Sequence, residues 1–189
     1  MQIENITIEI IRSKRKTLAI QIKEPGKITV RAPLRASDAQ IRSFIESKRD
    51  KIIKMLQDVK TKAQAKSEVT HLTSQELQEL ANQASKDLPE RVQHYASLLG
   101  VTYGRITIRA QKTLWGSCSG KGNLNFNVLL MLAPEDVRNY VVIHELCHPK
   151  EMNHSTRFWA EVERIMPNYK EQRKWLNTNG SLLMAKLGY

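Results

Sequence analysis

Cysteine is scarce: Cys118 and Cys147 are the only two among 189 residues. They lack C-x-x-C spacing and a secretory context, so they read as reduced thiols of a cytoplasmic protein, with a structural disulfide the less favoured alternative. Long apolar runs are also missing. The longest, Val128 to Ala133, is far too short to cross a bilayer, and the N-terminus lacks the apolar stretch of a secretory signal, so no membrane partner is expected. Aromatic residues make up 6% of the chain, and none alternates with basic residues as a stacking platform for single-stranded nucleic acid requires. Acidic residues are the scarcer charge, 19 against 30 Lys and Arg, which leaves a formal charge of +11.

That charge is uneven. Residues 1–70 hold 16 Lys and Arg against 8 Asp and Glu, densest at Arg12, Lys14, Arg15 and Lys16. A basic N-terminal part can meet nucleic acid or a nucleic-acid-bound protein, but a solvated charged face is the commoner outcome of such a composition and is the favoured reading. The length suits one sizeable domain, or a domain with a smaller appendage.

The pattern changes along the chain. Ile6, Ile8 and Ile10 alternate with polar residues, Leu18, Ile20 and Ile22 do the same after the basic turn, and Pro25-Gly26 turns into Ile28 to Arg31, which predicts a three-stranded meander. Ser37 and Gln40 form a capping box for a long helix whose apolar positions run from Ile41 to Val59. The polar stretch Lys60 to Lys66 is expected to fray or link, which divides the chain into 1–66 and 67–189. A second capping box, Thr73 with Glu76, opens a helix that Gly100 closes and that Pro89 is expected to kink or split. Strands are then predicted at 105–109, 114–117 and 123–128, the last with Leu124, Phe126 and Val128 on one face and Asn123, Asn125 and Asn127 on the other. That asparagine face either lines a cleft or is merely wet.

Chemistry concentrates just beyond. His144-Glu145-Leu146-Cys147-His148 is an H-E-x-x-H string, and on a helix its two imidazoles share one face about a turn apart. Val142, Ile143, Leu146 and Cys147 fall on one side of that helix, and Tyr140, Val141, His144, Glu145 and His148 on the other. Pro134 suits its first position, and Glu135 and Asp136 its positive end. His154 follows at the interval used by zinc peptidases that read H-E-x-x-H-x-x-G-x-x-H, with Glu151 in place of the glycine and Asn153 best suited to make the turn. Three of the five histidines thus fall within eleven residues, which favours a metal site over satisfied core histidines; His71 and His94 stand apart.

Three neutral imidazoles suit zinc and leave one position open, and a glutamate adjacent to a ligand can take a proton from water without coordinating. Some peptidases draw their third ligand from a glutamate on a later helix, which makes Glu161, on the border of an amphipathic helix over 155–166, the alternative to His154. Tyr140, Arg157 and Tyr169 are near enough in sequence to steady an oxyanion, although structural roles are favoured for all three. Pro167 is expected to end the 155–166 helix before a final helical piece, Tyr169 to Leu176.

Trp115-Gly116-Ser117-Cys118-Ser119, Lys121 to Asn127, Ala133-Pro134-Glu135, Val141 to His148, Asn153-His154 and Phe158-Trp159 together resemble the YgjP-like metallopeptidase family, relatives of the SprT-like and WLM zinc peptidases. Arg12 to Leu18 and Val30 to Pro33 extend the resemblance over nearly the whole chain. It implies an α+β zincin-like fold with a small antiparallel sheet and an H-E-x-x-H active-site helix, preceded by the N-terminal β-meander and long helix. It also implies zinc on His144, His148 and His154, Glu145 as the catalytic carboxylate, and a polypeptide substrate. The second functional class compatible with the residues is a zinc-stabilised nucleic-acid or protein binding module with weak or lost hydrolysis. The chain departs from the family pattern at Leu114 and Leu129, where arginine is usual, at Val128, where tryptophan is usual, and at Pro149. The missing arginines are expected to alter substrate contacts, and Pro149 to shorten or bend the helix at His148.

Overall fold

The computed structural model describes residues 2–3 and 6–188, with side chains from residue 7 onward. The chain divides into two compact units, Met1–Glu68 and Val69–Tyr189, of mixed α and β structure.

In the first unit β1 (Gln2–Ile3), β2 (Ile6–Ser13), β3 (Ala19–Glu24) and β4 (Lys27–Pro33) form a sheet in the order β1-β2-β4-β3. The strands arise where alternation predicts them, but the meander does not. β4 lies between its predecessors, antiparallel to β3 through the Gly26 turn and parallel to β2 from Thr7 opposite Lys27 to Ser13 opposite Pro33. Burial accounts for the order. Ile28, Val30 and Ala32 of β4 are fully buried against Ile41, Ile45 and Ile52, whereas Ile10 and Ile11 of β2 remain about 40% exposed, so the most apolar strand takes the interior. The alternation proposed at Ile6 concerns a side chain outside the described residues.

The expected long helix is two: α1 (Asp38–Glu46), with the Ser37–Gln40 capping box formed, and α2 (Arg49–Ser67). The break falls where the Ser47 hydroxyl bonds the Phe44 carbonyl at 2.8 Å and competes with the backbone ladder. Lys60 to Lys66 stay helical. Arg12, from the basic cluster, is used structurally, donating to the Ala36 carbonyl and to Asp38.

The second unit opens with α3 (Ser74–Leu99), capped by Thr73 and Glu76 and ended by left-handed Gly100. Pro89 neither splits nor ends it. The flanking Leu88 and Val92 are fully buried, and their packing outweighs the roughly 3 kcal/mol that an interior proline costs. β5 (Ile106–Arg109), β6 (Gly116–Cys118) and β7 (Leu124–Asn127) form a second sheet in the order β5-β7-β6. It is mixed rather than antiparallel, because β5 runs parallel to β7 and only the β6–β7 hairpin is antiparallel. Loop 110–115 carries the chain past β7 to its far side. A short 3-10 helix, Val128–Leu132, leads to α4 (Glu135–Cys147). α5 (Thr156–Ile165) and α6 (Tyr169–Ala185) complete the unit, α6 running well past Leu176. α4 sits at the centre of this core, with Val142, Ile143, Leu146 and Cys147 wholly buried. No helix among the described residues is long and apolar enough to cross a membrane, and both thiols are free.

Candidate metal centre

α4 delivers two imidazoles and a carboxylate from its last turn. The regular helix ends at Cys147, yet His148 keeps helical backbone angles (φ −62°, ψ −37°) despite preceding Pro149. The Glu145 carbonyl, deprived of a donor at position 149, accepts the His148 N–H instead at 3.3 Å, so proline tightens the last turn without turning the imidazole away from the other two. The Cys147 carbonyl then accepts N–H bonds from Lys150 and Glu151 at 3.2 and 3.1 Å. Asn153 serves the turn through its side chain, whose Oδ1 accepts the Ser155 N–H at 3.1 Å. Ser155 caps α5 by accepting from Phe158. His154 emerges between these two local bonds.

The three imidazoles converge. One ring nitrogen from each of His144, His148 and His154 lies within 4.8 Å of the other two, and the Nε2 atoms of His144 and His154 are 3.0 Å apart. Donors bound at 2.0–2.1 Å around a tetrahedral zinc sit about 3.3 Å from one another, so the spacing fits such an ion with small side-chain adjustments. Charge state fits as well. Burial, with His148 and His154 adding to it, pushes His144 down to about 3. His148 is lowered by burial first and His154 second, against an opposing effect of the backbone at Glu151 and Met152. Both rings are therefore held in the neutral form that coordination requires. The His144 Nδ1 is buried without a hydrogen-bond partner, so the polar engagement of that ring is through the Nε2 turned toward the cluster.

Glu145 stands beside this cluster, 4.0 Å from the His148 Nε2, and is almost wholly buried. Burial pushes its carboxyl up to about 8. The room for it comes from β6: a Cβ on Gly116 would lie 2.7 Å from the Glu145 Cγ and 2.8 Å from its Oε1. Gly116 was visible in sequence only as a glycine inside a strand, a pattern that marks close approach of another group. Together with Leu114, Trp115, Tyr140, His144 and Leu176, these residues line a cleft of about 200 Å³.

The other expected participants divide between the cleft and sites away from it. Glu161 is engaged at 3.0 Å with both Lys150 and Arg164, which hold its carboxyl below the usual range, Arg164 first, and it is not among the converging donors. Tyr140 lines the cleft, its phenol pushed up to about 12 by burial, and Tyr169 stacks on it at 6.4 Å. Arg157 is on an exposed face of α5. The asparagines are neither cleft lining nor simply wet. Asn127 is fully buried and donates to the Gln111 and Leu114 carbonyls at 2.7 and 2.8 Å, Asn125 donates to Ser117, and Asn123 accepts from the Arg105 N–H. Asn127 fastens the 110–115 loop, Asn125 the edge strand β6, and Asn123 the residue that leads into β5. β7 is central, with both edges paired, so it has no free edge for a substrate backbone. Leu114 does line the cleft, but Leu129 is fully buried beside Leu80 and Leu187, so a substrate contact at position 129 is ruled out for this chain. His94 packs edge-on against Tyr95, away from the three rings.

Two solved structures resemble the chain in part. The metallopeptidase zymogen of Pyrococcus abyssi abylysin is 29% identical, with 48% of this chain and 92% of that one covered at a TM-score of 0.45. The metallopeptidase zymogen of Methanocaldococcus jannaschii jannalysin is 22% identical, covering 49% and 96% at a TM-score of 0.44. No curated protein matches the chain. The family model for the YgjP-like metallopeptidase domain matches residues 16–79 and 73–179, a span that takes in β3 and β4 of the N-terminal sheet, the second sheet, the histidine cluster and Glu145, and the chain accordingly belongs to the YgjP-like metallopeptidase family.

Proposed function

We propose that the chain is a zinc-dependent peptidase in which His144, His148 and His154 hold the metal and Glu145 is the general base. The observation that carries this reading is the convergence of three imidazole nitrogens within 4.8 Å beside a buried glutamate. When bound, zinc supplies Lewis acidity to a scissile carbonyl and lowers the pKa of water from about 15.7 to near 7.

The protein's own groups supply the rest. Glu145 follows a ligand directly, so its carboxylate stands next to the cluster without joining it. Its Oε atoms receive the proton lost by the attacking water and pass it to the leaving amine. Burial raises the basicity of that carboxylate, and a cation held by the three rings acts in the opposite direction, keeping it ionised near neutral pH. Gly116 keeps the space beside the carboxylate open, and the cleft that Glu145 and His144 line gives water and substrate access to it.

Digestion of a peptide library with and without chelator tests the reading. Glu145→Gln should retain zinc and lose turnover by about 10²- to 10⁴-fold, the usual size of a general-base contribution. A zinc-stabilised binding module instead predicts chelator-insensitive peptides throughout and a partner affinity that Glu145→Gln leaves alone.

A further inference from the structure

Beyond the histidines and Glu145, α6 brings a positive charge close to the histidine cluster. Tyr169, Arg173 and Leu176 are spaced by four and three residues and share a helical face. Leu176 lines the cleft beside His144 and Glu145, and Tyr169 stacks on Trp159 at 5.3 Å. Between them, the Arg173 guanidinium carbon lies 4.6 Å from the Trp159 ring centre. Trp159 in turn lies 5.7 Å from both His144 and His154. These distances bound the guanidinium to within roughly 10 Å of either imidazole, about the range over which charge acts at physiological salt.

What Arg173 lacks is an anion. It is exposed, and among the described residues no carboxylate pairs with it. The nearby acids of α5 are committed elsewhere, Glu161 to Lys150 and Arg164 and Glu163 to Lys170. Stacking on an indole uses the face of a guanidinium and leaves its N–H edge free, and that edge matches a carboxylate with two parallel hydrogen bonds. The tryptophan holds the group beside His144 and His154.

We propose that Arg173 is a specificity-determining residue that recognises a carboxylate of the polypeptide substrate, either an Asp or Glu side chain near the scissile bond or the chain's own C-terminus. The inference rests on the peptidase reading but is tested by binding, so that the two can fail separately. The probe is a set of fluorescently labelled eight-residue Ala/Gly peptides measured by anisotropy on the zinc-loaded Glu145→Gln protein. One peptide is neutral and amidated, one carries a central Glu, one a central Gln, and one a free C-terminal carboxylate. At least one carboxylate peptide should bind about five- to tenfold more tightly than its neutral counterpart, with the preference shrinking as salt rises. The arm that shows the preference identifies the source of the carboxylate.

Arg173→Met keeps an aliphatic stem over Trp159 and should abolish the preference, whereas Arg173→Lys should retain part of it. A packing role would leave Met as good as Arg. Zinc content and thermal unfolding of each variant establish that the cluster is intact, and wild-type protein without metal serves as the scaffold if Glu145→Gln does not fold. Equal affinities across the set, a preference that survives Arg173→Met, or no binding of any peptide overturns the proposal. Absence of chelator-sensitive cleavage alongside a carboxylate preference that depends on Arg173 would instead overturn the peptidase assignment and leave Arg173 as the anion-binding residue.

Discussion

Gly116→Ala is the sharpest perturbation the geometry offers, because it adds one carbon atom and no charge. Gly116 is not among the glycines with positive φ, so alanine meets no backbone penalty there. The added Cβ meets the Cγ, Oε1 and Cδ of Glu145 at 2.7, 2.8 and 3.0 Å. Ordinary contact requires the carboxylate or strand β6 to retreat by roughly 1 Å, and overpacking of this kind costs about 1–3 kcal/mol. Misplacing a reacting group by about 1 Å can cost on the order of 10²-fold in rate. The expected outcome is a kcat lower by about 10- to 100-fold with zinc stoichiometry unchanged, since no histidine is touched. Gly120→Ala is the control: nothing lies within 4 Å of a Cβ there, and turnover should be unaltered. The assay is chelator-sensitive peptide cleavage with parallel metal analysis and thermal unfolding. Full turnover in zinc-loaded Gly116→Ala would refute the placement of Glu145 as the group that works on water.

Three further outcomes follow from the packing and charges. Asn127→Leu leaves the Gln111 and Leu114 carbonyls and the Leu129 N–H without partners; it should destabilise the protein by about 2–4 kcal/mol in urea unfolding and speed proteolysis within 110–115. Asp87, whose carboxyl the hydrogen-bonded Arg91 holds below its ordinary value, is a depressed acid, so its contribution is present above about pH 3.8 and lost as pH falls through its folded value. The stability gap between wild type and Asp87→Asn should therefore be on the order of 1–2 kcal/mol from pH 7 to 5 and close below about pH 4; a gap that widens on acidification contradicts the pairing. Chelation from a free-zinc level 100-fold above the dissociation constant should remove about 2.7 kcal/mol and lower the melting temperature by roughly 5–10 °C, whereas an unchanged melting temperature means that zinc does not bind the folded state.

Local signals in the sequence carried a good part of the structure. The capping boxes at Ser37 and Thr73, the left-handed stop at Gly100 and the apolar side of α4 depend on neighbours within a turn, and all formed as spacing predicts. The sheets were less legible, because strand order is decided by which strand is most buried. Ile28, Val30 and Ala32 put β4 inside its sheet, and the crossing of loop 110–115 makes β5 and β7 parallel, neither of which alternation can encode. Pro89 and Ser47 show local preference failing in both directions, with tertiary packing preserving a helix at one and a hydroxyl interrupting a helix at the other. Of the site, the histidine spacing was legible, since an i, i+4 pair on a helix leaves little freedom. The setting of Glu145 against Gly116, the loop held by Asn127 and the stacking of Arg173 on Trp159 were not, because each joins residues distant in sequence.

X-ray absorption at the zinc edge, on purified protein and on His148→Ala, His154→Ala and Glu161→Ala, tests the central claim most directly. The account predicts one zinc per chain with three imidazole nitrogens at about 2.0–2.1 Å and one exchangeable oxygen ligand, lost or weakened in either histidine variant and unchanged in Glu161→Ala. A zinc signal that survives His154→Ala and disappears in Glu161→Ala, or a protein that takes up no zinc at all, would contradict it.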